Sequence, residues 1–143
     1  MVRETGGSGL ADHSSVARAF DGAGADGPWF DPGHERVVDP VRRGRLLDFL
    51  AGGEVVLAAG VRLADVFSGA TATVPASLRS DGAWVWSDTT RYYLDRYQLA
   101  PDPGLAGHAL AHPPGGRLCP LTRHRVRAAL HPTNQEGPSW RAG

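Results

Sequence analysis

Lysine is missing from this 143-residue chain, and all 15 basic residues are arginine. The bias reads most simply as high-GC coding and does not by itself select for bidentate phosphate contacts. Cysteine is nearly absent as well. Cys119 stands alone, which excludes an intramolecular disulfide and a cysteine-built zinc site of the usual spacing. Long apolar runs are lacking: the longest, Val55 to Val61, falls far short of the roughly 20 residues a bilayer span requires. No apolar h-region of a secretory signal follows Met1, so the expected location is cytoplasmic, with no membrane partner. Net charge is also absent, 15 basic residues balancing 15 acids, so general affinity for nucleic acid is expected to be weak.

What is present is unevenly placed. Residues 1–39 carry three Arg against seven acids, whereas residues 103–143 carry five Arg against Glu136. Gly and Pro, 19 and 11 in number, make up about a fifth of the chain, a high share that stops short of a disordered composition. Residues 1–36 are dominated by Gly, Ser, Asp and Ala, with Val16, Phe20, Trp29 and Phe30 as their anchors. Such a composition buries little to offset ordering entropy, so 1–36 reads as a flexible leader, 37–131 as one domain and 132–143 as a flexible tail.

Within the body, Asp39-Pro40 is a cap-then-proline helix start, predicting a helix over Val41 to Leu50 that Gly52-Gly53 ends. Glu54 to Ala59 reads as a strand, too apolar on both faces for an edge and therefore expected at the sheet centre. Leu63, Val66 and Phe67 suggest a short helical turn. Pro75 marks Thr71 to Leu78 as an edge or bulged strand. Asp81-Gly82 predicts a tight hairpin turn, with Ala83 to Trp86 returning and Trp84 and Trp86 on one face, Val85 on the other. Ser87 or Asp88 caps a helix with the stripe Thr90, Tyr93, Leu94, Tyr97. A short helix from Asp102 to about His112 and a last one from Thr122 to Leu130 follow. The expected class is α+β: one small domain with a short, mostly antiparallel sheet covered by three or four short helices.

Five large aromatics fall between Trp84 and Tyr97, enough to seed a core. Trp and Tyr also dominate contact hot spots. The same unit resembles a group of small uncharacterised actinobacterial proteins and appended domains. They share an Asp-Gly-x-Trp-x-Trp hairpin, a Tyr-Tyr-Leu helix, a Leu-x-Pro-Asp turn and a Leu-x-x-His helix. Here these are Asp81-Gly82, Trp84 and Trp86, Tyr92-Tyr93-Leu94, Leu99, Pro101-Asp102, and Leu105 with His108. The likeness covers residues 37–112 and implies association with bacterial conflict systems, without a defined chemistry.

Other chemistries are thinly represented. His108 and His112 share a helical face but lack a third metal ligand, and no metal or cofactor is expected. Cys119 has His124 nearby but no oxyanion hole in view. Phosphate-binding glycine motifs do not occur. The leading expectation is a non-enzymatic interaction module, immunity-like or accessory, that occludes an acidic protein partner through Trp84, Trp86, Tyr92 and Arg91. One alternative is a small enzyme or ligand-binding protein with His108 as general base in a cleft. Another is weak nucleic-acid binding through Arg117 to His131.

Overall fold

The computed structural model describes residues 15–130; the rest of the expected leader and the expected tail lie outside the described residues. Ten elements follow one another: β1 (Ser15–Val16), β2 (Gly22–Gly24), β3 (Gly27–Trp29), α1 (Pro40–Ala51), β4 (Glu54–Leu57), β5 (Leu78–Ser80), β6 (Trp84–Ser87), α2 (Asp88–Tyr97), α3 (Pro103–Ala111) and α4 (Pro120–Ala129). The class is α+β. Four strands form one mixed sheet in the order β1-β6-β5-β4, and β2 and β3 form a separate hairpin.

Local chemistry starts three of the helices. Asp39 accepts from the Val41 N–H, Ser87 from Thr89, and Asp102 from Gly104, each satisfying a donor that the first helical turn leaves open. Prolines occupy the first turn of α1 and α3, where no intrahelical donor is needed. At the end of α2, Gln98 adopts the left-handed conformation and returns its N–H to Leu94.

The two-residue period of β6 divides the interior. Trp86 and Trp84 face a layer built from Leu46, Phe49 and Leu50 of α1, Leu94 of α2 and Leu105 of α3. Val85 faces the other way, joining Val56, Leu118 and Val126 under α4. A third cluster, Val74, Tyr93 and Leu99 with Phe20, Phe30, Val66, Tyr92 and Tyr97, lies beside α2.

Several expectations are corrected. β4 is an edge strand rather than the central one, with Val55 36% and Leu57 39% exposed. A register shift between Val55 and Leu57 interrupts its pairing, and the Arg127 guanidinium donates to the Val56 carbonyl on the strand. Both devices blunt an edge that its apolar sequence would otherwise leave sticky. The hairpin after β5 is wider than a two-residue primed turn: the Asp81 carboxylate folds back to accept from the Ala83 and Trp84 N–H groups, and only Gly82 takes positive φ, at 97°. Thr71 to Ser77 is loop, tied to Leu63 by a bridge at Val74.

The folded unit also begins earlier than residue 37. Ser15 and Ala17 donate to the Ala83 and Val85 carbonyls at 3.0 and 2.9 Å, placing β1 parallel to β6. Phe20 and Phe30 pack on Tyr93. Composition undervalues this segment because two rings and a few ladder bonds suffice to hold it to a preformed surface.

Gly53 is required by close approach. A Cβ there would lie 2.6 Å from Cζ2 of Trp86, an indole that is 1% exposed and donates to the Leu50 carbonyl at 3.0 Å. The ring has nowhere to retreat, so Gly53→Ala is expected to destabilise the fold by about 1–3 kcal/mol through overpacking, read as a lowered denaturant midpoint.

Candidate functional site

Asp65 is the one buried carboxylate among the described residues. Its Oδ1 accepts from the Phe67 and Ser68 N–H groups at 2.8 and 3.0 Å, turning the chain sharply after Leu63. Its Oδ2 accepts from two phenols on successive turns of α2, Tyr92 at 2.6 Å and Tyr97 at 2.8 Å. Arg96 stands 4.0 Å from the same oxygen. Burial opposes the charge, but the Tyr92 phenol, the Ser68 amide, the Tyr97 phenol and the Phe67 amide outweigh it, holding the carboxyl well below the usual range. The hydrogen bond to Asp65 in turn pushes the Tyr92 phenol up to about 12.

This clamp fixes a ring surface. Phe67 follows the Asp65 turn and is 51% exposed, yet its ring lies on Phe30, nearly parallel at 5.8 Å, and against Tyr97 at 4.7 Å. The Arg96 guanidinium lies 5.7 Å from the Tyr97 ring. Arg91, one residue before Tyr92 on α2, is exposed. A rigid aromatic-arginine face results, in which the ring geometry is set by buried bonds rather than left to solvent.

The residues singled out from the sequence are distributed differently. Trp86 is enclosed between sheet and helices, so no partner can touch it; its place in β6 makes it core. Trp84 is half-buried on α3, its ring so close to Gly104 that a Cβ there would meet it at 2.7 Å. Tyr92 is half-buried with its hydroxyl committed to Asp65. Arg91 alone of the four is fully available on the surface. The structure thus brings Tyr92 to the Asp65 clamp and the rings beside it, leaves Arg91 exposed on the same helix, and withdraws both tryptophans into a different layer.

His108 serves as a fastener. Its Nε2 pairs with the Asp81 carboxylate at 2.7 Å, its edge meets Phe49, and His112 stacks on it at 4.2 Å. Burial works against the Asp81 charge, but His108 and the Trp84 and Ala83 amides lower its pKa overall. The pair therefore locks α3 to the β5–β6 turn. Along the basic segment, Arg123 is ion-paired with Glu54 and donates to the Leu118 carbonyl, and Arg127 is spent on β4. Arg117, His124, Arg125 and Arg127 are exposed, four of the five described basic groups that a phosphate-binding reading counted on; His131 lies outside the described residues.

Asp65, Phe67 and Tyr97 were missed as site residues. Asp65 followed by Ser68-Gly69 is a turn signature in which a carboxylate accepts amides two and three residues on, and it was legible; the partnership with two tyrosines some thirty residues later was not. No protein-family model matches this chain, and no curated protein or solved structure matches it either.

Proposed function

We propose that this chain is a non-enzymatic interaction module, immunity-like or accessory in kind, that acts by covering a partner's surface. The observation that carries this reading is the half-exposed Phe67, backed by the Phe30 and Tyr97 rings, with Arg96 beside Tyr97 and Arg91 exposed elsewhere on the same helix. Aromatic and arginine side chains are the commonest anchors of protein interfaces, and anchors held rigid in the free state lose little entropy on docking. The partner is a protein offering an apolar pocket with acidic surroundings, since Arg91 and Arg96 would steer it.

Two substitutions test the proposal without touching the core. Arg91→Glu alters an exposed side chain and Phe67→Ala removes an exposed ring, so both variants are expected to keep cooperative unfolding. Phe67→Ala is expected to weaken binding to the partner at least tenfold, as hot-spot truncations of about 2 kcal/mol do. Arg91→Glu is expected to slow association most at low salt. Surface plasmon resonance against a partner identified by affinity capture reads both effects. Undiminished binding by the two variants refutes the proposal.

A further inference from the structure

A cavity of about 160 Å³ opens where the segment between β1 and β2 crosses the start of α3. We infer that it is a binding site for a small organic cation, a primary amine of about six heavy atoms, adjoining the Phe67 face through the shared Phe30 and Tyr93 rings and argued independently of the interface reading. The size follows from comparison with an apolar protein cavity of about 150 Å³ that accommodates benzene.

The walls decide the chemical class. Phe20, Phe30 and Tyr93 form one side, packed on each other with centroids 4.9 to 5.8 Å apart. Aromatic walls attract a desolvated cation through the ring quadrupole and repel an anion. Three carboxylates, Asp21, Glu35 and Asp102, line the cavity against one guanidinium, Arg18, and the ring of His34. Two of the carboxylates are occupied. Asp21 accepts from the Asp31 amide and faces His34 Nδ1 at 2.9 Å, while Asp102 accepts from the Gly104 and Arg18 amides. The Arg18 guanidinium turns toward Asp102, at 3.6 Å, so it adds little positive field. The Glu35 carboxylate makes no hydrogen bond or ion pair among the described residues, although its backbone carbonyl holds the Ala100 amide at 2.9 Å. One uncommitted anion beside aromatic walls favours an ammonium group.

Thr90 supplies the second, independent observation. It is 5% exposed and forms part of the cavity wall, and its hydroxyl is the one buried side-chain oxygen without a hydrogen-bond partner among the described residues. An unpaired buried hydroxyl is costly, and native proteins rarely keep one without use. Threonine in a helix has two accessible χ1 rotamers, and the assignment has the bound N–H donor select the one that presents the oxygen to it. Glu35 would hold the charge and Thr90 the direction.

The test uses the full chain with cyclopentylamine as the probe and cyclopentanol, of the same shape but neutral, as its control. Cyclopentylamine is expected to raise the melting temperature saturably and to give a calorimetric isotherm, with cyclopentanol inert at the same concentration. Thr90→Val removes only the unpaired hydroxyl, so its own melting temperature is expected to hold or rise, while amine affinity falls about tenfold. Glu35→Gln, at an exposed side chain, is expected to reduce affinity similarly. Equal responses to amine and alcohol, no response to the amine, or full amine affinity in both variants each overturn the assignment.

Discussion

Asp65→Ala is expected to cost about 3–5 kcal/mol of stability, the magnitude seen when one partner of a buried, charged hydrogen-bond network is removed. Four donors, the Tyr92 and Tyr97 hydroxyls and the Phe67 and Ser68 amides, would lose their acceptor at once. Tyr92→Phe and Tyr97→Phe each delete one donor and leave the carboxylate the others, so each is expected to cost only about 1–2 kcal/mol. Urea denaturation at neutral pH separates the cases, and single losses equal to the alanine loss would refute the shared-acceptor account.

The same network sets a pH dependence of known sign. The Asp65 carboxyl is depressed in the folded protein, so its contribution is present above the unfolded pKa of about 3.9 and is lost as pH falls through the folded value. Glu54, lowered to about 2 by Arg123 and the Leu118 amide, acts in the same direction. Tyr92 is the mirror case. Its phenol is raised to about 12, so stability is complete below the unfolded value of about 10 and falls as pH climbs through 12. Asp65→Asn is expected to flatten both limbs of a stability-against-pH curve, and unaltered limbs would contradict the assignment.

Trp86→Ala is expected to be of similar size, about 3–5 kcal/mol, the range for deleting a large buried ring. The indole touches Phe49 at 5.2 Å between centroids, shares its layer with Leu46, Leu50, Leu94 and Leu105, and donates to Leu50. Trp84→Ala, at a half-buried ring on the same strand, is expected to cost clearly less. The contrast, read from thermal or urea melts, distinguishes a core indole from one available for contact. Equal losses would mean that the enclosure of Trp86 is not what stabilises the sheet.

Much of the scaffold is written in short-range chemistry. Asp39-Pro40, Ser87 and Asp102-Pro103 each place a carboxylate or hydroxyl where the first amides of a helix need one, and each starts a helix as expected. Trp84, Val85 and Trp86 alternate between layers because a strand leaves them no other choice. The elements that were misread depend on distant partners. An apolar run such as Val55 to Leu57 has the composition of a central strand, and only the position of α4, arriving some seventy residues later with Arg127, makes it a protected edge. The Asp65 segment does close one helical turn, the Gly69 amide donating to the Asp65 carbonyl; what the local sequence hides is that the carboxylate is held by two phenols on α2. Residues 15–36 looked spare because their partners, Val85 and Tyr93, stand far along the chain.

Among the described residues, β6 pairs in parallel with the two residues of β1, and this has a kinetic consequence. The ladder between residues 15–16 and 84–85 closes a loop of about seventy positions for very few bonds, whereas β5 and β6 meet across a hairpin. Loop-closure entropy therefore assigns the N-terminal strand to the end of folding, after the β5–β6 hairpin and α2 have assembled. During biosynthesis this segment is then made before the hairpin and α2 yet docks after them, and it waits for a surface that the ribosome completes only with Tyr93 and Leu99.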